Sequence, residues 1–518
     1  MAKKPVITAA EAALMVRDGM TVSPSGFVAS AMPEALTGAL ERRFLETGSP
    51  RNLTLFYAAA QGNRDGSGAD HFAHKGMLKR VVGGHYNMAP ELGKLINANE
   101  VEAYNLPQGT LSQLFRDIAA HKLGTLTHVG LHTFADPRVE GGKLNRITRE
   151  DLVEVTTVLG EERLLYKAFP VDMGLIRGTY ADENGNVSLE RECCSTEATS
   201  IAQAVKNSGG KVVVQVEKVV QAGTLDPKLI KIPGIYVDAI VVCTDKKDHA
   251  QCQGCEYDGS MTGDFRLSLG SLEYPPMSAK KIIGRRAAME LQPNTVVNLG
   301  IGIPEYISLV ANEEGIGDYM TLTVESGPVG GIPQGGSRFG GSVNAEAILD
   351  QPYQFDFYDG GGVDLAFLGL AQADEMGNIN VSKFGTRIAG CGGFINITQN
   401  AKRVFFCGTF TAGGLRTHVE NGKLVIDQEG LERKFLKEVE RITFSGRYAV
   451  QTNQPVMYIT ERCVFELRQD GVYLTEVAPG IDIQTQIIDR MKFTPKMDAY
   501  GPELMDSRIF CDKIMDLK

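Results

Sequence analysis

Asp172 to Ser188 reads DMGLIRGTYADENGNVS, and Asp364 to Asn380 reads DLAFLGLAQADEMGNIN. The stretches stand 192 residues apart (364 − 172 = 192), and Ala-Asp-Glu-x-Gly-Asn recurs in register. A repeat of this kind marks an internal duplication. At the same offset the apolar run Val212-Val213-Val214 falls on Val404-Phe405-Phe406. Two upstream matches have other offsets, as expected once loop lengths diverge. Asp18-Gly19-Met20-Thr21-Val22 resembles Gln292-Pro293-Asn294-Thr295-Val296, and Leu53-Thr54-Leu55 resembles Met320-Thr321-Leu322.

Each copy carries the local signals of an α/β unit. Thr8 and Glu11 have capping-box spacing and open an Ala-rich helix that stops at Asp18-Gly19. Ser278 is placed to open the equivalent helix through KKIIGRRAAMEL, before Pro293. Short apolar or β-branched runs then lead into glycine-rich turns, TVSPSGF in one copy and TVVNLGIGIP in the other. Short buried strands alternating with helices predict mostly parallel sheets flanked by helices. The expected architecture is two similar open α/β domains in tandem. Their expected spans are 1–245 and 278–518, joined by a polar linker at 246–277. Open sheets of this type bind ligands beyond the carboxyl ends of their strands.

The chain-wide properties exclude several functions. With 518 residues, 43% hydrophobic and 22% charged, the composition is that of a globular protein long enough for two cores. A formal net charge of -10 argues against nucleic acid or an anionic membrane as partner, while leaving room for a local cationic patch. The N-terminal MAKKPVITAAEAALMVRDG holds no apolar stretch of signal-peptide length, and a cytoplasmic location is expected. Nine scattered cysteines read as reduced thiols rather than a disulfide framework. Cys252 and Cys255 form a lone CxxC beside His249, without the second pair a structural zinc needs, so no metal is expected. His71 and His74 lack an evident third ligand and read as surface or packed histidines.

The duplication singles out one carboxylate. Aligning LTLFYA (53–58) with MTLTVE (320–325) sets Glu325 opposite Ala58. Glu325 is followed by SGPVGGIPQGG. An acid at the end of a buried strand, before a glycine-rich turn, is costly unless its site uses it. The structural alternative is that Glu325 caps a helix or pairs with Arg338. Three glycine clusters are further candidates. Gly300-Ile301-Gly302 follows a strand and could aim N–H groups at an anion, although the third glycine of a dinucleotide fingerprint is missing. Gly360-Gly361-Gly362 precedes the repeated Asp364 segment, and Gly390-Cys391-Gly392-Gly393-Phe394 lies just before another β-like run. Cys391 has no histidine or acid near it in sequence to activate it, and reads as a small space-filling side chain.

The segment TLTVESGPVGG (321–331) resembles the nucleophile segment of family I CoA-transferases, closest to the propionate CoA-transferase branch. YNLPQG (104–109), TFADPR (133–138), GCGGFINITQN (390–400), YITERCVF (458–465) and EVAPGID (476–482) resemble segments of the same family, in the same order along nearly the whole chain. The resemblance implies a fused enzyme, its halves matching the separate α and β subunits of other members. It implies acyl-CoA and a short-chain carboxylate as substrates, coenzyme A as substrate rather than bound cofactor, no metal, and a homodimer or homotetramer. It further implies a covalent acyl-glutamyl anhydride, then a glutamyl-CoA thioester, on Glu325. By resemblance the Gly392-Gly393 turn supplies oxyanion-stabilising backbone, Gly300 to Gly302 lie along the CoA chain with Gly361 and Gly362 as further contacts, and Gln108 contacts the acyl or carboxylate group. Close relatives carry tryptophan after the histidine where this chain has His85-Tyr86, a change that bears on acyl size if the position borders the substrate. The rival readings are an acyl-CoA hydrolase on the same scaffold and a ligand sensor without turnover.

Overall fold

In the computed structural model, residues 3–268 and 274–518 are described; residues 269–273, inside the expected linker, lie outside them. Two compact units emerge. The first comprises 1–267, 324–357 and 385–396, and the second comprises 268–323, 358–384 and 397–518. The units therefore do not divide the chain into tandem halves, as the duplication alone suggests. Two later segments, one beginning just before Glu325 and one holding the Gly390–Phe394 run, cluster with the N-terminal residues.

The first unit is built on an all-parallel sheet. Its strands are β1 (Thr21–Pro24), β2 (Leu53–Tyr57), β3 (Leu78–Gly83), β4 (Glu102–Asn105), β5 (Met173–Arg177), β6 (Lys211–Val216) and β7 (Ala239–Val242), in the order β7-β6-β5-β1-β2-β3-β4. Val22, Leu55, Val81 and Val213 are fully buried, as expected of strands covered on both faces. Thr8 and Glu11 close the capping box that opens α1 (Ala9–Leu14). The helices α2 (Glu34–Thr47), α3 (Pro90–Asn97), α4 (Gln108–Ala119) and α5 (Ala198–Asn207) flank the sheet.

The second unit repeats the plan. After α6 (Ala279–Ala288), capped by Ser278 on the N–H of Lys281, come β8 (Thr295–Leu299), α7 (Glu305–Glu313), β9 (Met320–Thr323), β10 (Leu365–Gly369), β11 (Arg403–Cys407) and β12 (Val456–Ile459). These strands run parallel in the order β9-β8-β10-β11-β12, matching β2-β1-β5-β6-β7. An antiparallel pair, β13 (Cys463–Arg468) and β14 (Gly471–Val477), extends this sheet and has no counterpart in the first. Phe367 and Phe405 stack at 4.5 Å between ring centroids in its core.

The repeated sequence has a physical cause. Asp172 accepts the N–H of Thr21 at 2.8 Å, and Asp364 accepts the N–H of Val296 at 2.8 Å, so each aspartate fixes its strand beside the first strand of its own sheet. Asp182 Oδ1 accepts the N–H groups of Asn184 and Asn186 at 2.9 and 3.0 Å while Oδ2 takes the Asn186 amide at 2.9 Å. Asp374 does the same to Met376 and Asn378, at 3.0 Å in each case. The glycine between them is left-handed in both copies, φ 84° at Gly185 and 77° at Gly377.

Candidate functional site

Glu325 stands in a tight turn of the first unit. The N–H of Val324 donates to the carbonyl of Pro328 at 2.9 Å, and that of Gly327 returns to Val324 at 3.0 Å. Gly327 adopts φ 129° and presses its α-carbon on the carbonyl of Leu349, leaving no room for a side chain. Its own carbonyl accepts the N–H of Leu349 at 3.0 Å. Ser326 is fully buried and donates to the carbonyl of Gly340 at 2.5 Å. The turn is thus pinned on both sides of Glu325.

Glu325 itself is half-buried and forms no ion pair among the described residues. Arg338, the alternative partner weighed from sequence, pairs with Asp258. Desolvation dominates the carboxyl and pushes its pKa up to about 7, against a smaller opposing contribution from its own backbone N–H. A carboxylate poorly hydrated and unpaired, yet partly accessible, is a usable nucleophile.

Two of the sequence motifs are joined in the same unit. Asn105, fully buried, accepts the N–H of Cys391 at 3.0 Å and donates to the carbonyls of Gly83 and Gly84 at 3.1 and 2.6 Å. The N–H of Gln108 donates to the carbonyl of Gly392 at 3.0 Å, and the N–H of Gly109 to Asn396 Oδ1 at 3.1 Å. YNLPQG and GCGGF are therefore two sides of one hydrogen-bonded seam at the start of α4 and of α9 (Phe394–Asn400), so the run after GCGGF, expected as a strand, is a helix. Gly392, at φ 52°, spends its N–H on the carbonyl of Gly84 at 2.8 Å. The N–H of Gly393 meets no acceptor among the described residues. Cys391 is buried, with the Gly84 carbonyl 3.8 Å from its sulfur, in keeping with a space-filling role.

Of the residues expected from sequence, Glu325, Gln108, Gly392 and Gly393 belong to the first unit, and Gly300, Gly302, Gly361 and Gly362 to the second. In the second unit, Gly300 donates to Phe367 at 2.8 Å, and the N–H of Gly302 is taken by Glu305 Oε1 at 2.9 Å. Gly361 is left-handed, φ 85°, just after α8 (Gln351–Asp359). Tyr86 is a core residue, 1% exposed, hydrogen-bonded to the carbonyl of Tyr104.

Sequence reasoning missed three polar groups in this neighbourhood. His85 lies beside the Gly392 turn; burial, then the charges of Arg64 and Arg387, pull its pKa down to about 4, so the imidazole is neutral. Its Nδ1 is buried without a partner among the described residues. Gln351 and Glu197, both fully buried, extend the network from Gln108. Each is a single polar residue whose partners are remote in sequence, and no local pattern marks it.

The coenzyme A transferase family matches residues 6–243. A caffeate CoA-transferase from Acetobacterium woodii is 46% identical, with 98% of this chain and 97% of the relative covered. The acetate CoA-transferase YdiF of Escherichia coli K12 is 43% identical over 99% of this chain and 96% of its own length. The crystal structure of an acyl-CoA transferase from E. coli O157:H7 (YdiF), a thioester complex with CoA, superposes with a TM-score of 0.93 at 41% identity, covering 99% of this chain and 97% of that one. The chain belongs to the coenzyme A transferase family, in its fused-subunit form. It is an enzyme, a CoA-transferase, with a coenzyme A thioester as substrate.

Proposed function

We propose that this enzyme exchanges coenzyme A between a short-chain acyl-CoA and a free short-chain carboxylate, of the propionate and acetate type, through covalent intermediates on Glu325. The observation that carries the reading is Glu325 itself: half-buried, unpaired, and shifted to a pKa of about 7 in a turn locked by Ser326 and Gly327. Relatives named for acetate and for caffeate support carboxylates as the exchange partners.

In the first step a Glu325 oxygen attacks the thioester carbonyl. The C–S bond breaks, coenzyme A leaves as thiolate, and an acyl-glutamyl anhydride remains. The thiolate then attacks the glutamyl carbonyl, forming a glutamyl-CoA thioester and releasing the first carboxylate. A second carboxylate reverses both steps and leaves as the new acyl-CoA. One thioester is exchanged for another, so the chemistry needs no metal and no nucleotide hydrolysis.

The N–H of Gly393 is the donor for the tetrahedral oxyanion, since that of Gly392 is already engaged; such a donor is commonly worth about 3 kcal/mol. Gly392 contributes by holding the turn. Gln108 contacts the acyl or carboxylate group, and Gly300, Gly302, Gly361 and Gly362 contact coenzyme A. The working enzyme is a cytoplasmic homodimer or homotetramer.

The test is product analysis with propionyl-CoA, with and without acetate. Acetyl-CoA forming in step with propionate release, and little free thiol without acetate, is the expected result. Thiol release independent of acetate would instead make the protein a hydrolase.

A further inference from the structure

A buried carboxyl group reaches Gln108 through one intermediary. Glu197 lies at the N-terminus of α5, with no exposed surface. Its Oε2 accepts a hydrogen bond from Gln351 Nε2 at 2.9 Å. Gln351 Oε1 in turn accepts from Gln108 Nε2 at 3.3 Å. Gln108 lies at the start of α4, its N–H on the carbonyl of Gly392 and its own Oε1 facing the Gly392 α-carbon. Glu197, Gln351, Gln108 and Gly392 thus form one continuous chain of contacts inside the first unit.

The intermediary is itself held. The N–H of Gln351 donates to the carbonyl of Thr196 at 2.9 Å, and Thr196 has φ 50°, a left-handed conformation that a β-branched residue rarely adopts. On the preceding residues, Asp350 pairs with Lys231 at 2.8 Å and Leu349 bonds the turn after Glu325. Gln351 has no freedom to turn its amide without losing one of two buried partners.

A fully buried acid is expensive to keep unless the structure uses it. Glu197 forms no ion pair among the described residues, and its Oε1 has no partner among them. Burial pushes its pKa up to about 8. Protonated or ionised, the carboxyl keeps an oxygen that accepts from Gln351 Nε2, more strongly as the carboxylate, and that acceptance fixes which way the Gln351 amide faces.

Resting on the reading of Gln108 given above, we propose that Glu197 is a positioning residue: through Gln351 it fixes the orientation of the Gln108 amide and so tunes recognition of the carboxylate substrate. The acid does not touch the reacting atoms. It acts on how well the acceptor is held, and coenzyme A binding is left alone.

Steady-state kinetics of E197A, Q108A and the double variant test this, with KM measured separately for acyl-CoA and for acetate. E197A is expected to raise KM for acetate about tenfold, the effect of one lost buried hydrogen bond, with KM for acyl-CoA unchanged. In the Q108A background it adds little, because the relay has lost its end point. E197Q, which keeps an acceptor for Gln351, restores most of the loss. If E197A does not fold, Q351L interrupts the same relay and gives the same split. Effects that multiply in the double variant, or that move both KM values together, overturn the relay. A Q108A variant with wild-type KM for acetate overturns the reading of Gln108 instead.

Discussion

The main-chain N–H of Gln108 donates to the carbonyl of Gly392 at 3.0 Å, joining two segments far apart in the sequence. Beside it, Asn105 holds the N–H of Cys391, so the turn that presents Gly393 is clamped to the start of α4. The clamp sets where the Gly393 N–H, the proposed oxyanion donor, and Gln108 stand relative to each other. Preorganisation of this kind is what backbone donors need to favour a transition state over solvent.

Removing the clamp has a predictable cost. Asn105→Ala leaves the buried N–H of Cys391 without an acceptor, a loss of about 1–3 kcal/mol. Chemical denaturation should show that drop, and kcat should fall because the turn is looser. A variant with wild-type stability and kcat would contradict the role assigned to Asn105.

The acid limb of the rate profile reports on Glu325. In the proposed mechanism the nucleophile is the ionised form, and desolvation raises the Glu325 pKa to about 7. The rate of the first half-reaction should therefore climb with pH up to about 7 and then level off. An acid limb that is complete near pH 4.5 would mean that the free carboxyl is not desolvated in solution.

The same shift has a consequence for stability. Folding raises the Glu325 pKa from 4.5 to about 7, so the folded state holds the proton more tightly. Stability from this group is fully present below pH 4.5 and is lost as pH rises to about 7. Glu325→Gln should therefore melt above the wild type at pH 8, and the gap should close as pH falls toward 4.5. Equal melting temperatures throughout would count against the burial described.

A second titration lies away from the site. His71 bonds Glu34 through Nε2 at 2.9 Å and Glu41 through Nδ1 at 2.7 Å, while His74 bonds Glu41 at 2.6 Å. The two glutamates outweigh desolvation and raise the His71 pKa to about 9. Its stabilisation is fully present below pH 6.5 and is lost as pH rises through 9. His71→Ala should cost about 2 kcal/mol at pH 6 and progressively less as pH rises from 6.5 through 9. A pH-independent difference would show that the pair is not ionic.

The architecture was legible because the duplication is enforced by hydrogen bonds that only certain residues make. Asp182 and Asp374 each organise their own turn, and the Asp-x-x-Gly-Asn spacing follows from that local geometry. Capping at Thr8 and Ser278 was legible for the same reason. Glu325 stood out because its counterpart is Ala58, which is fully buried. What sequence hid is long-range. Residues 324–357 and 385–396 cluster with the first unit, which a two-copy reading cannot foresee. Glu197 and Gln351 look like ordinary surface polar residues until the fold buries them together. The Gly392-Gly393 pair read as equivalent donors, and only tertiary bonding separates the engaged N–H from the free one.

The most direct test of the account is chemical trapping. The enzyme is incubated with acyl-CoA alone, reduced with borohydride, digested and mapped by mass spectrometry. Reduction of a glutamyl thioester to the alcohol at Glu325, dependent on acyl-CoA and missing in Glu325→Gln, is the predicted result. Modification at another residue, or an unmodified Glu325 in enzyme that is turning over, would contradict it.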